Sequence, residues 1–391
     1  MRDRLRFVFV AILPFFVLGP IGINPAKVVY GVSVFSFATY ILFKENWVST
    51  KFRNVYICGI LLGNLVIYGV VVGLVRANSF ESLGSAFNLL LPALWLITIP
   101  YAANSVSEKF LLDTIFILGL IASVISVNKW ATLRGYFNFS IEVNALDSDW
   151  SIYLILIVFL TQFQKFGKVR RRVYLGILLF SMLFSIGTGT RTLLFIYTYI
   201  MILSLLVAGK QSLKVASFIL TFFVTFFTIL PFLPDVLQRR YQNFLTQFSS
   251  LGLIDYLIGF DESTNLRARQ REYFKSVWLE NELLGTGIGQ TKADSIVIAD
   301  TPYAFLAQFG SLGAIYLLFV LLFLFKTTYR TIQKNNLKVA STIVLFFLCL
   351  LPVTLAYNWT LHKSFWISLS WLIAYISKNN KLNQKAEEHK P

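Results

Sequence analysis

Long apolar stretches follow one another along this chain with short polar breaks between them, and the pattern is interrupted at length once, from about Pro234 to Thr301. Twelve stretches are long or apolar enough to cross a hydrocarbon core of roughly 30 Å as helices. They run approximately 6–23, 26–43, 55–75, 83–103, 110–128, 149–164, 173–187, 192–208, 215–233, 302–325, 339–357 and 364–377. Three of them, 149–164, 173–187 and 364–377, fall short of the usual 17 or so residues, so they are expected to tilt little or to thin the bilayer. Backbone that faces lipid must satisfy its own hydrogen bonds, which selects a helical bundle over an open sheet. A membrane β-barrel would show segments of about ten residues alternating apolar and polar, and that alternation does not occur. The expected architecture is all-α: a polytopic membrane helical bundle of about twelve transmembrane helices, one integral membrane domain over 1–391, with one large loop at 234–301.

Composition agrees with this pattern. Of 391 residues 56% are hydrophobic and 14% charged, whereas soluble domains carry about a quarter charged residues. Lys and Arg in the connections then set the orientation. With the N-terminus in the cytoplasm, the inner stretches are 1–6, 44–54, 104–109, 165–172, 209–214, 326–338 and the tail after Ser377; they hold 22 of the 35 basic residues and five of the 19 acids. The outer face holds 13 of each. Lys165, Lys168 and Arg170-Arg-Arg172 are the strongest single anchor. Both termini are therefore expected inside, and the 234–301 loop outside.

The net charge of +16 requires no nucleic acid partner, because the excess lies in short loops where positive-inside bias and anionic headgroups account for it. Met1-Arg-Asp-Arg-Leu-Arg6 leads into an apolar run without a clear small-residue cleavage site, so no cleavable signal peptide is expected and the first helix stays. Cys58 and Cys349 fall inside predicted helices far apart in the chain and read as small core residues rather than a disulfide. His362 and His389 are the only histidines, so no metal cluster is expected. No internal repeat is visible by eye.

Four places could carry chemistry. The first is Ser185-Ile-Gly-Thr-Gly-Thr-Arg191, an outward turn whose glycines let the backbone reverse sharply. Arg191 at its end fits two settings, a snorkelling arginine in the headgroup layer or a charge that enters a cavity. The second is a short amphipathic helix at about 267–280. There Arg267, Arg271 and Lys275 stand at i, i+4 and i+8 and span about 80° of the surface, together with Phe274 and Trp278, while Arg269, Glu272 and Glu280 point away. Guanidinium forks beside aromatic rings suit a ligand with a diphosphate and sugar or lipid parts. The same face would equally suit a helix lying on anionic headgroups.

The third place is Glu282-Leu-Leu-Gly-Thr-Gly-Ile-Gly289, followed by Asp300-Thr-Pro-Tyr303 and Gln308-Phe-Gly-Ser-Leu-Gly313. The glycines make a compact turn, and Pro302 suits a first helical turn. Asp300 just ahead of it reads first as a helix cap. The fourth place, Asn358-Trp-Thr-Leu-His362-Lys363, is a polar, aromatic outer turn without a specific pattern.

Taken in order, these elements resemble the superfamily of bacterial O-antigen polymerases and O-antigen ligases. The resemblance rests on a Thr-Gly-Thr-Arg turn at 188–191, a large outer loop, and Arg267 placed eighteen residues ahead of Gly285 in the Leu-Leu-Gly-x-Gly-x-Gly turn. A helix opening at Tyr303 with Gly310-x-x-Gly313 then follows. These motifs cover about 185–191 and 265–315, and the rest of the chain agrees only in hydropathy and helix number. The resemblance implies a GT-C-like fold and a glycosyltransferase on the outer face of the bacterial cytoplasmic (inner) membrane. Its donor would be an undecaprenyl-diphosphate-linked glycan rather than a nucleotide sugar. Its expected partners are lipid-linked repeat units and the bilayer, with a flippase and a chain-length regulator, and no cofactor or metal.

Arg191 and Arg267 match the arginines of the family, and Arg271 is added from the helical face, with Lys275, Trp278 and Tyr303 as further substrate contacts. In the implied reaction a sugar hydroxyl attacks the anomeric carbon and the lipid diphosphate leaves. Positive groups that bind the diphosphate more tightly as its charge develops lower the barrier. The ligase branch resembles this chain less, because it carries a His where the loop meets the next helix. Here that position holds Asp300-Thr301, with Asp300 placed to orient or deprotonate the acceptor hydroxyl or to cap the helix. A polymerase is therefore expected, with a ligase or a repeat-unit flippase as alternatives. A flippase would be expected to set charges near the midplane, yet the apolar runs are almost free of charge, with Asp113 near an end.

Overall fold

A computed structural model describes residues 2–11, 13–14, 25–44, 53–77, 81–114, 116–117, 167–173, 176, 212–229, 231, 238–239, 242, 246, 262–288, 302–333, 366–367 and 369–375. Among them the chain is all-α, and no strand occurs. Seven helices are α1 (Arg2–Ala11), α2 (Pro25–Lys44), α3 (Arg53–Ala77), α4 (Glu81–Asn104), α5 (Ser212–Ile229), α6 (Glu262–Glu280) and α7 (Pro302–Gln333). Residues 108–114 and 369–375 are also helical. The expected segments 149–164, 192–208 and 339–357, and most of 173–187, lie outside the described residues, as do Cys349 and His362. One described stretch, Val55–Val75 with mean hydropathy 2.3, is long and apolar enough to cross a membrane.

The centre of the described fold is the antiparallel pair α3 and α4. Two glycine pairs at i, i+4 spacing, Gly59 with Gly63 and Gly69 with Gly73, let other backbone approach α3 closely. A Cβ at Gly59 would lie 2.8 Å from the Ala93 carbonyl oxygen and 3.0 Å from Ile97. Gly63 faces Leu90 and Ala93, so rising numbers on α3 meet falling numbers on α4. The contact falls beside Pro92, one of two prolines inside α4, where the missing N–H has already interrupted the helical ladder.

A buried hydrogen-bond relay ties α1, α2 and α4. The Trp95 indole N–H donates to the Tyr30 hydroxyl oxygen at 2.9 Å, and that hydroxyl donates to the Val10 carbonyl at 3.0 Å. Phe9 packs on the Tyr30 ring, with centroids 5.6 Å apart. Because Tyr30 and Trp95 are both buried, Tyr30→Phe would leave the indole N–H and the carbonyl without these partners. The expected result is a loss of about 1–3 kcal/mol, read as a lowered thermal denaturation midpoint of the purified protein. An unchanged midpoint would show that the relay contributes nothing.

Basic segments gather at one end. The Arg4 guanidinium lies 5.3 Å from the centre of the Phe110 ring, and Phe7 touches both Phe110 and Trp371, at 6.1 and 4.7 Å. Arg170 pairs with Asp113 and stands over Phe116 at 5.5 Å. Phe37 near the C-terminal end of α2 meets Tyr101 near the end of α4, at 5.9 Å. So the start of α1, the end of α2, residues 101–117 and residues around 170 share one end of the molecule. α3 begins there and runs away from it, because it is antiparallel to α4. α7 returns alongside α3, and near the basic end the Tyr316 hydroxyl donates to the Cys58 carbonyl at 3.1 Å.

Candidate functional site

At the far end of α3, residues 281–288 wedge between α3 and α7, and the backbone hydrogen bonds show how. In an unbroken helix the Ser311 amide would donate to the Ala307 carbonyl and the Leu312 amide to that of Gln308. α7 is instead kinked at Gly310, with φ 58° and ψ −150°, a conformation essentially open only to glycine. The Ser311 amide now donates to the Glu282 carbonyl at 2.7 Å, and the Ala307 and Gln308 carbonyls accept from the Thr286 and Gly287 amides at 2.8 and 3.0 Å. The turn thus supplies the partners that the kink takes away.

Side chains reinforce the exchange. The Ser311 hydroxyl donates to the Glu282 carbonyl at 2.8 Å, and the buried Thr286 hydroxyl donates to that of Ala307 at 3.1 Å. On the α3 side, the Ile288 amide donates to the Gly69 carbonyl at 2.8 Å, and the Tyr68 hydroxyl donates to the Leu284 carbonyl at 2.9 Å. Gly285 and Gly287 have φ of 69° and 85°. A Cβ at Gly285 would stand 2.4 Å from the Gln308 oxygen, and one at Gly287 would stand 2.2 Å from the Gly73 nitrogen.

This geometry decides one chemical question. Phosphate-cradling glycine loops aim unpaired backbone N–H groups at their ligand. Here the four successive amides from Gly285 to Ile288 all donate to protein carbonyls, those of Asn281, Ala307, Gln308 and Gly69. The described part of the glycine-rich turn is a splice between helices, and its amides are not free to cradle an anion.

α6 ends in this turn and packs on the opening of α7. Phe274 is fully buried against Ala304 and Ala307, with Val277, Trp278 and Tyr303 around it. The Trp278 and Tyr303 rings lie 6.4 Å apart at 39°. The small side chains of Ala304 and Ala307, one helical turn apart, leave room for the Phe274 ring. Gln270, one turn before Phe274, is also buried.

With about 100° per residue, the positions of Arg267, Arg271 and Lys275 on α6 lie about 20°, 60° and 100° to one side of Phe274. Glu262, Arg269 and Glu280 fall on the other side, and Glu272, at about 160°, lies nearly opposite Phe274. The helix begins at Glu262, five residues earlier than the amphipathic pattern suggests. Lys275 is exposed, and Trp278 and Tyr303 are partly buried. Trp278 and Tyr303 are therefore brought together, and Arg267, Arg271 and Lys275 share a helix side with Trp278. Arg191 and Asp300 lie outside the described residues.

No family model, curated protein or solved structure matches this chain.

Sequence reasoning passed over the α3 half of the site. Tyr68, Gly69 and Gly73 also seat the turn, and their signal was present as Gly69-Val-Val-Val-Gly73, the small-xxx-small spacing of close membrane helix contacts. The hydroxyls of Thr286 and Ser311 gave no such signal.

Proposed function

We propose that this chain is a surface-polysaccharide polymerase, such as an O-antigen polymerase, in the bacterial cytoplasmic membrane. It has about twelve membrane-spanning helices in a GT-C-like arrangement, both termini in the cytoplasm and the 234–301 loop outside. The observation that carries the reading is the side of α6 shared by Arg267, Arg271, Lys275 and Trp278, which adjoins the opening of α7 at the end opposite the basic loops. Two further features support the membrane setting. Large apolar side chains are exposed along α2, α3 and α7, among them Val29, Phe43, Val75, Ile315 and Leu322, as lipid-facing helices would present them. Among the described residues, four of the seven segments assigned to the cytoplasm by their charge, at the start of α1, the end of α2, 104–109 and around 170, also lie at one end of the fold.

The substrates are two undecaprenyl-diphosphate-linked glycans. A hydroxyl oxygen of the acceptor sugar forms a bond to the donor's anomeric carbon, the bond from that carbon to the diphosphate oxygen breaks, and the electron pair leaves with the lipid diphosphate. Asp300 takes the hydroxyl proton and passes it to solvent. Arg191, Arg267 and Arg271 hold the diphosphate and bind it more tightly as its charge grows. Lys275 adds positive charge, while Trp278 and Tyr303 offer ring faces to sugar or lipid. A flippase would deliver the repeat units and a chain-length regulator would act on the product.

Deletion of the gene in its host, with surface glycan resolved on a gel ladder, tests this. The expected result is a single repeat unit on the surface lipid. A full ladder after deletion would sink the polymerase reading, and loss of even the single unit would point to a ligase or a flippase.

A further inference from the structure

We infer that the groove between α1 and α2 is a binding site for an anionic glycerophospholipid of the cytoplasmic leaflet. The inference rests on the membrane orientation proposed above and not on the reaction. The groove has a volume of about 470 Å³ and is lined by Leu5, Arg6, Phe9, Val10, Phe37 and Tyr40. Four of the six lining side chains, Leu5, Phe9, Val10 and Phe37, are apolar, and Arg6 and Tyr40 add a charge and a hydroxyl, the mixture that a lipid with an acyl chain and a charged headgroup requires. Leu5 and Tyr40 remain 59% and 42% exposed, so no described residue covers the opening.

Three groups at the groove suit a phosphodiester. Arg6 offers a planar fork of donors, and among the described residues it pairs with Asp3 at 3.6 Å, with both side chains well exposed. Such a pair contributes little and yields readily to a phosphate. From α2, the Lys44 ammonium donates to the Tyr40 hydroxyl oxygen and stands 5.0 Å from the centre of that ring. This sets a cation beside the Tyr40 hydroxyl that lines the groove. Lys44 closes α2 at the basic end of the molecule, where headgroups of the inner leaflet would lie, and basic pockets between helices on that side recognise anionic headgroups. Arg4, two residues before Arg6 and so about 200° round α1, is directed to Phe110 and does not line the groove.

The full-length protein, purified in detergent, would be examined by native mass spectrometry with phosphatidylglycerol or phosphatidylcholine of matched chains. The expected result is at least a roughly tenfold higher occupancy by phosphatidylglycerol, reduced in Arg6→Gln to near that of phosphatidylcholine and weakened in Tyr40→Phe, while Arg4→Gln keeps the preference. Inorganic phosphate at millimolar concentration should not displace the lipid. Equal occupancy by the two lipids, an unchanged preference in both Arg6→Gln and Tyr40→Phe, or an equal loss in Arg4→Gln would each overturn the site. Displacement by phosphate alone would replace a lipid site with a plain anion site. Lipid binding is read without any glycan, so a failure here leaves the polymerase reading standing. Reporter fusions that placed the N-terminus outside would instead remove the orientation on which both depend.

Discussion

Gly287→Ala is expected to lower stability by about 3 kcal/mol or more and to leave little folded protein. The added Cβ would stand 2.2 Å from the Gly73 nitrogen, 2.6 Å from the Gly73 Cα and 2.8 Å from the Val72 carbonyl carbon. All three atoms are α3 backbone, so no side chain can swing aside. The φ of 85° adds about 1–2 kcal/mol for any residue with a Cβ. Relief by separating the turn from α3 would break the bond from the Ile288 amide to Gly69 and unpack Ile288, now 1% exposed. Such a bond contributes about 1 kcal/mol, and the apolar side chain about 2 more. The measurement is thermal denaturation of the purified variant beside Gly63→Ala. A Cβ at Gly63 meets only side-chain carbons at 3.9 Å, so that variant should be neutral or gain up to about 1 kcal/mol from helix propensity. Equal midpoints for the two variants would show that the turn does not seat on α3.

α3 therefore acts as a spine with two contact faces. Its Gly59–Gly63 side lies on the proline-broken α4, and its Gly69–Gly73 side receives the 281–288 turn. The same turn completes the hydrogen bonding of α7 at Gly310, so the C-terminal end of α6 is fixed from two directions. A helix that presents charged groups to a diphosphate must hold them to within a fraction of an ångström. A glycine splice made of backbone hydrogen bonds would supply that rigidity if α6 has the proposed role.

How much of this was legible in the sequence depended on the range of the interaction. Local patterns placed the helices well: α2, α3 and α4 occupy 25–44, 53–77 and 81–104, where hydropathy marked 26–43, 55–75 and 83–103. Pro302 does open α7, in the first-turn position that suits a proline. α7 continues to Gln333 beyond the apolar run ending near 325, because Lys326 and Arg330 are good helix formers and polarity alone does not end a helix. The glycine-rich segment was readable as a turn, yet its destination was not. Exchange of hydrogen bonds between Glu282 and Ser311, or between Ile288 and Gly69, joins backbone groups that are alike in every residue, so side-chain pattern carries almost no trace of it. Phe274 and Trp278 show a similar limit. The helical spacing that groups them with Arg271 is local, whereas the burial of Phe274 depends on the small Ala304 and Ala307 of another helix.

Arg267→Ala, at normal membrane level, is expected to fail in restoring long glycan chains to a deletion strain. Arg267 stands about 20° from Phe274 by helical register, and Phe274 is anchored on α7. Its position is thus set by packed structure rather than by a loose loop. If its guanidinium stabilises the departing diphosphate, its removal costs the transition state more than the ground state. Loss of one such donor typically slows a reaction about 10²–10³-fold, enough to collapse the ladder to its shortest members. Arg191→Ala should behave alike, and Arg267→Lys should recover only part of the chain length, because an ammonium keeps the charge but not the two-pronged geometry. Arg269→Ala, on the opposite side of α6, should leave the ladder near normal. An amphipathic helix that merely rests on headgroups predicts another outcome: Arg267→Ala and Arg269→Ala would then cause small losses of similar size, and Arg267→Lys would restore the wild-type pattern. Normal chain lengths from both Arg191→Ala and Arg267→Ala would remove the proposed diphosphate clamp while leaving the polymerase proposal to rest on other residues.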